Sequence, residues 1–147
     1  MKVVFSGGAE IDAALRDLSR RLAKAVTTRA ATKALKVFVD AANAKAPVGR
    51  TGNLAKSYKV GARSVLTRRQ KSQADQPAAD EVIVYAGTAN PAGQMQEFGT
   101  AHHRPQPHAR PAWDETGPKV LAILETDFAA DVAKTTARAA KKAAQQP

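Results

Sequence analysis

The chain has 147 residues, 44% of them hydrophobic but only 5% aromatic, and carries 23 Lys and Arg against 13 Asp and Glu, a formal net charge of +10. That length suits one domain, 1–147, with one modest core. The absence of Cys excludes disulfides and thiolate metal sites. The positive excess favours polyanions, acidic protein surfaces or anionic membranes, without choosing among them.

Much of the apolar fraction is Ala, which buries little area, so an isolated subunit is expected to have a thin core. Burial supplied by neighbouring subunits would compensate. The opening MKVVFSGGAE has too short an apolar run for a signal peptide, and no stretch approaches a membrane span. The expectation is a soluble protein, made and used in the cytoplasm, with no membrane partner.

Val3, Val4 and Phe5 form a brief β-prone run closed by Gly7 and Gly8. Ile11, Ala14, Leu15, Leu18, Leu22 and Val26 then recur at helical spacing, with basic residues between them. Thr27 and Thr28 could interrupt this helix or cap a second segment. The pattern resumes through Ala30, Ala34, Leu35, Phe38, Val39 and Ala42, and Pro47 and Gly49 end it.

Tyr58, Val60 and Ala62 alternate with Lys59, Gly61 and Arg63, as in a half-exposed strand, and Glu81–Ala86 (EVIVYA) is the strongest strand signal. Residues 67–80 between them are polar and aperiodic, which predicts a β-hairpin with an unusually long tip. Residues 87–111 read as irregular. A last helix is expected from near Pro111, with Asp114 and Glu115 suited to its positive end. Gly117-Pro118 should kink or restart it. Val120, Leu121, Leu124, Phe128 and Val132 continue its apolar stripe, and 133–147 read as a solvated Ala/Lys-rich end. The expected class is α+β: a long N-terminal amphipathic helix or helix pair and a C-terminal helix, packed on a small antiparallel sheet.

No catalytic residue, metal ligand or cofactor site emerges. His102, His103 and His108 lack Asp, Glu or Cys at zinc-ligand spacing and are expected in a solvated His/Pro loop. Ser6 and Ser57 have no base partner and no G-x-S-x-G elbow. The basic run Lys59, Arg63, Arg68, Arg69 and Lys71 contains no acid. It fits either a protected strand edge or contact with phosphates or an acidic neighbouring subunit. No aromatic residue lies within Arg63–Lys71, which argues against base stacking.

Three stretches carry a resemblance. Ala46-Pro47-Val48-Gly49-Arg50-Thr51-Gly52-Asn53-Leu54-Ala55-Lys56-Ser57 is close to A-P-x-x-T-G-x-L-x-x-S after a long amphipathic helix. Glu97-Phe98-Gly99-Thr100 is an E-x-G-T element following a strand, and Pro107-His108-Ala109-Arg110-Pro111-Ala112 is similar to a P-x-x-R-P-A helix opening. In order and spacing, about residues 8–130 resemble the tail-completion, or neck, proteins of long-tailed bacteriophages and prophages.

Locally, Thr51 could cap the turn containing Leu54, and Gly52 could take a positive φ or permit close backbone approach. Gly99 would let the chain turn after a core-anchored Phe98, and Glu97 and Arg110 could pair. The resemblance implies a non-enzymatic virion protein assembled in the host cytoplasm, whose copies form a ring, a hexamer, around the DNA channel. Its neighbours would be connector, tail-terminator or tail-tube proteins, with non-specific contact to genomic DNA. The rival reading is a small basic DNA-binding protein, for which no helix-turn-helix signature is present.

Overall fold

The computed structural model describes residues 20–78 and 81–144. The β-prone run at Val3–Phe5 and the start of the helical pattern at Ile11 lie outside the described residues. The elements are α1 (Arg20–Lys45), β1 (Tyr58–Gly61), α2 (Arg68–Gln73), β2 (Tyr85–Thr88), α3 (Pro91–Phe98) and α4 (Ala109–Ala144), with single 3-10 turns at Leu54–Lys56 and Arg63–Val65. The class is α+β, as expected.

Helices α1 and α4 form an antiparallel pair. Ion pairs Lys45–Glu115 at 2.7 Å, Lys33–Asp127 at 2.8 Å and Arg29–Asp131 at 3.7 Å keep one register along both helices. The seam is built on four-residue steps: Val26, Ala30, Ala34, Phe38, Ala42 and Ala46 on one side, and Ala112, Thr116, Val120, Leu124, Phe128 and Val132 on the other. A four-residue step overshoots a helical turn by about 40°, so the buried row winds around each helix. Alanine at many α1 positions allows close approach of the backbones, and the bulk comes from α4 and from Phe38, whose ring meets Trp113 edge-on at 5.6 Å.

Two expectations about these helices are corrected. Thr27 and Thr28 do not interrupt α1, because their hydroxyls donate to the carbonyls of Ala23 and Lys24 and leave the helical ladder intact. Gly117-Pro118 does not break α4, which runs through Pro118. The residue before a proline is normally pushed out of helical geometry by its Cβ, and Gly117 has none. The carbonyl that Pro118 leaves unpaired belongs to Asp114, an exposed residue.

Among the described residues the sheet has two antiparallel strands, with Tyr58 opposite Thr88 and Gly61 opposite Tyr85. The strong EVIVYA signal is displaced: β2 begins at Tyr85, and among the described residues 81–84 pair with no strand. The reason lies in β1, which ends at Gly61 where the chain enters a 3-10 turn, so no partner continues alongside Val82–Val84. The connecting segment is not aperiodic. Thr67 caps α2 through a reciprocal box in which its hydroxyl accepts the Gln70 N–H while the Gln70 side chain accepts the Thr67 N–H.

The stretch expected to be irregular contains α3. Asn90 caps it by accepting the Ala92 N–H at 3.0 Å, and Pro91 occupies its first turn.

Candidate functional site

The three sequence stretches meet where α1 ends, β1 begins and α4 starts. Asn43, on the last turns of α1, donates from Nδ2 to the carbonyl of Tyr58 at 3.2 Å and accepts the Tyr58 N–H at Oδ1 at 3.0 Å. One side-chain amide thus stands in for a neighbouring strand and fixes β1 against the helix. Tyr58 is buried, and its hydroxyl lies 2.8 Å from Nε2 of His108.

His108 is almost wholly buried, which corrects the expected solvated loop; His102 and His103 are exposed. Its Nδ1 faces two acceptors, the Gln106 carbonyl at 3.1 Å and Glu97 Oε2 at 3.3 Å, so Nδ1 carries the ring proton. Nε2 therefore accepts from the Tyr58 hydroxyl.

Glu97 is the hub. Its carboxylate accepts three consecutive backbone N–H groups at the start of α4, from His108 at 2.8 Å, Ala109 at 2.9 Å and Arg110 at 3.1 Å. Those donors have no partner inside their own helix, and the helix end is partially positive. A residue on α3 thereby caps α4. Burial pushes the Glu97 carboxyl upward, but the three backbone donors and the His108 side chain outweigh it and hold it below the usual carboxylate range. Burial, with Glu97 nearby, raises the Tyr58 hydroxyl to about 12.

The sequence Tyr58, His108, Glu97 has the order of a catalytic relay, yet the geometry is that of a structural knot. The carboxylate is consumed by main-chain donors, the phenol is a poorer acid than a free one, and His108 has no exposed edge for a substrate.

The first stretch closes the same region. Ser57 Oγ donates to the Leu54 carbonyl at 2.8 Å, so the 2.6 Å contact with Thr88 is donated by the Thr88 hydroxyl, which itself accepts the Asn90 N–H. Leu54 is buried against Gly93 of α3, where any Cβ would fall 2.5 Å from Thr88 Cγ2. Gly99 has φ +76°, and a Cβ there would lie 2.9 Å from the His103 carbonyl and from Pro105. Its close approach lets Thr100 and His103 pair as a single bridge.

Other motif residues behave differently from expectation. Gly52 does take a positive φ, +61°. Thr51 does not cap the Leu54 turn: Asn53 occupies the capping position without a side-chain bond, and Thr51 is exposed. Phe98 is 65% exposed rather than a core anchor, because the inward face of α3 is taken by Gly93 and Glu97. The exposed Phe98 ring is covered by the Arg110 guanidinium at 4.9 Å, while Arg110 Nε pairs with Glu97 at 3.3 Å. Pro47 and Pro111 are half-buried and Pro107 is exposed.

The basic residues form no part of the knot. Lys59, Arg68, Arg69 and Lys71 are exposed and Arg63 is half-buried, its guanidinium donating to the Lys71 carbonyl. Sequence reasoning missed Asn43, Tyr58 and His108 as partners. Asn43 in the last turn of α1 was the one available signal, since Asn has low intrinsic helical preference and readily hydrogen-bonds backbone groups outside the helix.

Asn43 also decides which sheet edge is open. It holds both backbone groups of Tyr58, so Tyr58 faces away from β2, and Val60 faces the same way. By the same alternation Ala86 and Thr88 direct their N–H and C=O groups away from β1, and Val84 continues the series. Among the described residues these edge groups have no backbone partner. Residues 82–88, VIVYAGT, contain neither charge nor proline.

Residues 9–99 are similar to the family model of bacteriophage HK97-gp10-like tail components, a match covering the first two stretches up to Gly99. No curated protein and no solved structure matches the chain.

Proposed function

We propose a joining role at the head–tail junction or tail end for this chain, which belongs to the HK97-gp10-like family of bacteriophage tail components. It is a structural protein of a tailed-phage virion, and its partners include other phage structural proteins. In the finer reading, copies assemble into a ring, a hexamer, that completes the tail or joins it to connector, tail-terminator or tail-tube proteins. The motif residues Pro47, Gly52, Leu54, Ser57, Glu97, Gly99, Thr100 and Arg110 maintain the subunit. The basic segment carrying Arg63, Arg68, Arg69 and Lys71 reaches a neighbouring ring or the DNA channel.

The observation that supports assembly is the edge of β2 facing away from β1, which has no backbone partner among the described residues. A two-stranded sheet is marginal by itself, and an uncharged edge is a template for another chain. Disrupting the gene in the phage or prophage that encodes it, followed by electron microscopy, tests the role. Unjoined heads and tails, or tails of aberrant length, are expected; normal infectious particles would overturn it.

One observation favours DNA binding as a second reading. The register of the helix pair brings Arg20, Arg21 and Lys24 alongside the part of α4 that carries Lys134, Arg138 and Lys141. Cations that are scattered in sequence thus gather at one end of the molecule. Under this reading duplex affinity falls steeply with salt.

A further inference from the structure

We infer that Met95, Phe98 and Arg110 form a docking site for an acidic segment of another virion protein. The Arg110 guanidinium receives a partner carboxylate, and a neighbouring apolar side chain of the partner seats on Phe98 and Met95. The inference rests on the joining role above for the kind of partner, another protein of the particle.

The apolar half of the site lies on α3. Met95 and Phe98 are neighbours on one helix face, and they are 54% and 65% exposed. Met, Phe and Arg are residue types that protein interfaces concentrate relative to the rest of the surface.

The polar half is Arg110, in the first turn of α4. Its Nε lies 3.3 Å from Glu97 Oε1 while its guanidinium carbon lies 4.9 Å from the centre of the Phe98 ring. Glu97 does not depend on this cation, because three backbone N–H groups already bind its carboxylate. The two contacts instead hold the guanidinium in place on a side chain that is otherwise largely exposed. Glu97 is the one acceptor that Arg110 meets among the described residues, and a guanidinium has five N–H donors in a fixed fork. Donors therefore remain, pre-oriented beside an apolar surface, and that fork matches a carboxylate.

Charge selects the occupant. Buried Glu97 is the only acid between Glu81 and Asp114. None occurs between Asp40 and Asp75, the stretch whose Leu54 packs against Gly93 of α3. In these stretches Arg50, Lys56, Lys59 and Arg104 are exposed. A second copy, at +10 overall, would bring like charge. The chain's own residues 1–19 are nearly balanced, with Lys2 and Arg16 against Glu10, Asp12 and Asp17. Duplex phosphates would engage the cations but leave Met95 and Phe98 in water. An acidic segment carrying an apolar residue satisfies both halves.

Gln94 is exposed one helical turn from Phe98, so a cross-linker there leaves the site intact. Full-length Gln94→p-benzoylphenylalanine protein is supplied to the phage or prophage that encodes the chain. Joined particles are irradiated, and the linked peptide is identified by mass spectrometry. A peptide of another virion protein, with Asp or Glu beside an apolar residue, is expected. Phe98→Lys and Phe98→Asp test the charge separately, and both should melt with the wild type because position 98 is exposed. Facing an acidic partner, Phe98→Asp should give about tenfold fewer joined particles than Phe98→Lys, since like charges repel across an interface.

Linkage to DNA, to a second copy or to residues 1–19 of the same chain would overturn the proposal, as would joined particles with no linkage. So would a linked peptide without an acid. Yields from Phe98→Lys equal to or below those from Phe98→Asp would overturn the choice of an acidic partner. Normal joining with Phe98→Asp would remove this site yet leave the joining role standing, since that role is tested by disruption of the gene.

Discussion

Glu97 Oε2 accepts the backbone N–H groups of both His108 and Ala109, at 2.8 and 2.9 Å, so a side chain on one helix supplies the cap of another eleven residues downstream. This ties the E-x-G-T stretch to the helix opening that follows it. The two stretches are one device. The rest of the knot, His108 and Tyr58, transmits that anchorage to β1 and, through Asn43, to α1.

Replacing Glu97 by Gln keeps the shape but removes the charge facing a positive helix end. A loss of about 1–3 kcal/mol is expected, measured by denaturant unfolding. The folded-state carboxyl sits below its ordinary value. Its stabilisation is therefore complete above the unfolded carboxyl pKa and disappears as pH falls through the folded one. Glu97→Gln should flatten that acid limb, and an unchanged limb would show that other carboxylates dominate it.

Tyr58→Phe leaves His108 Nε2 buried without its donor, at an expected cost of about 1–3 kcal/mol. Because the Tyr58 phenol is raised to about 12, it favours the folded state at neutral pH, and that contribution declines as pH rises from about 10, the ordinary phenol value. Thermal melts between these pH values should show the wild type losing stability faster than Tyr58→Phe.

The three glycines make a graded series. Gly52→Ala meets strain from a positive φ but open space, and should cost about 1 kcal/mol. Gly99→Ala adds collision with backbone and proline atoms to its positive φ, and should cost more. Gly93→Ala has no positive φ but collides with Thr88 Cγ2 and should fall between them, because a side-chain methyl can move. Melting temperatures in the order Gly52→Ala, Gly93→Ala, Gly99→Ala, highest first, would bear this out.

Deleting Arg68–Ala79 removes α2, which has no buried residue, and leaves enough chain to join the paired strands. The shortened protein should unfold within about 1 kcal/mol of the parent, since exposed loops contribute little. It should nevertheless fail to support joined particles in complementation. Normal complementation would remove the basic segment from the mechanism.

Much of this architecture was legible locally. The spacing of Ala30, Ala34, Phe38 and Ala42, and of Val120, Leu124, Phe128 and Val132, encodes the faces of α1 and α4 because helical periodicity is a property of neighbouring residues. The capping box Thr67–Gln70 and the Asn90-Pro91 start were equally local, although they lay in stretches read as irregular. Only the tertiary structure decided that His108 is buried, that Phe98 is not, and that EVIVYA pairs from Tyr85 onward. Each depends on a partner distant in the chain: Tyr58 and Glu97 for His108, the inward Glu97 for the orientation of Phe98, the length of β1 for β2. A side chain's intrinsic preference is worth tenths of a kcal/mol, whereas a buried hydrogen bond left unmade costs more than that. Where the two compete, the distant partner prevails.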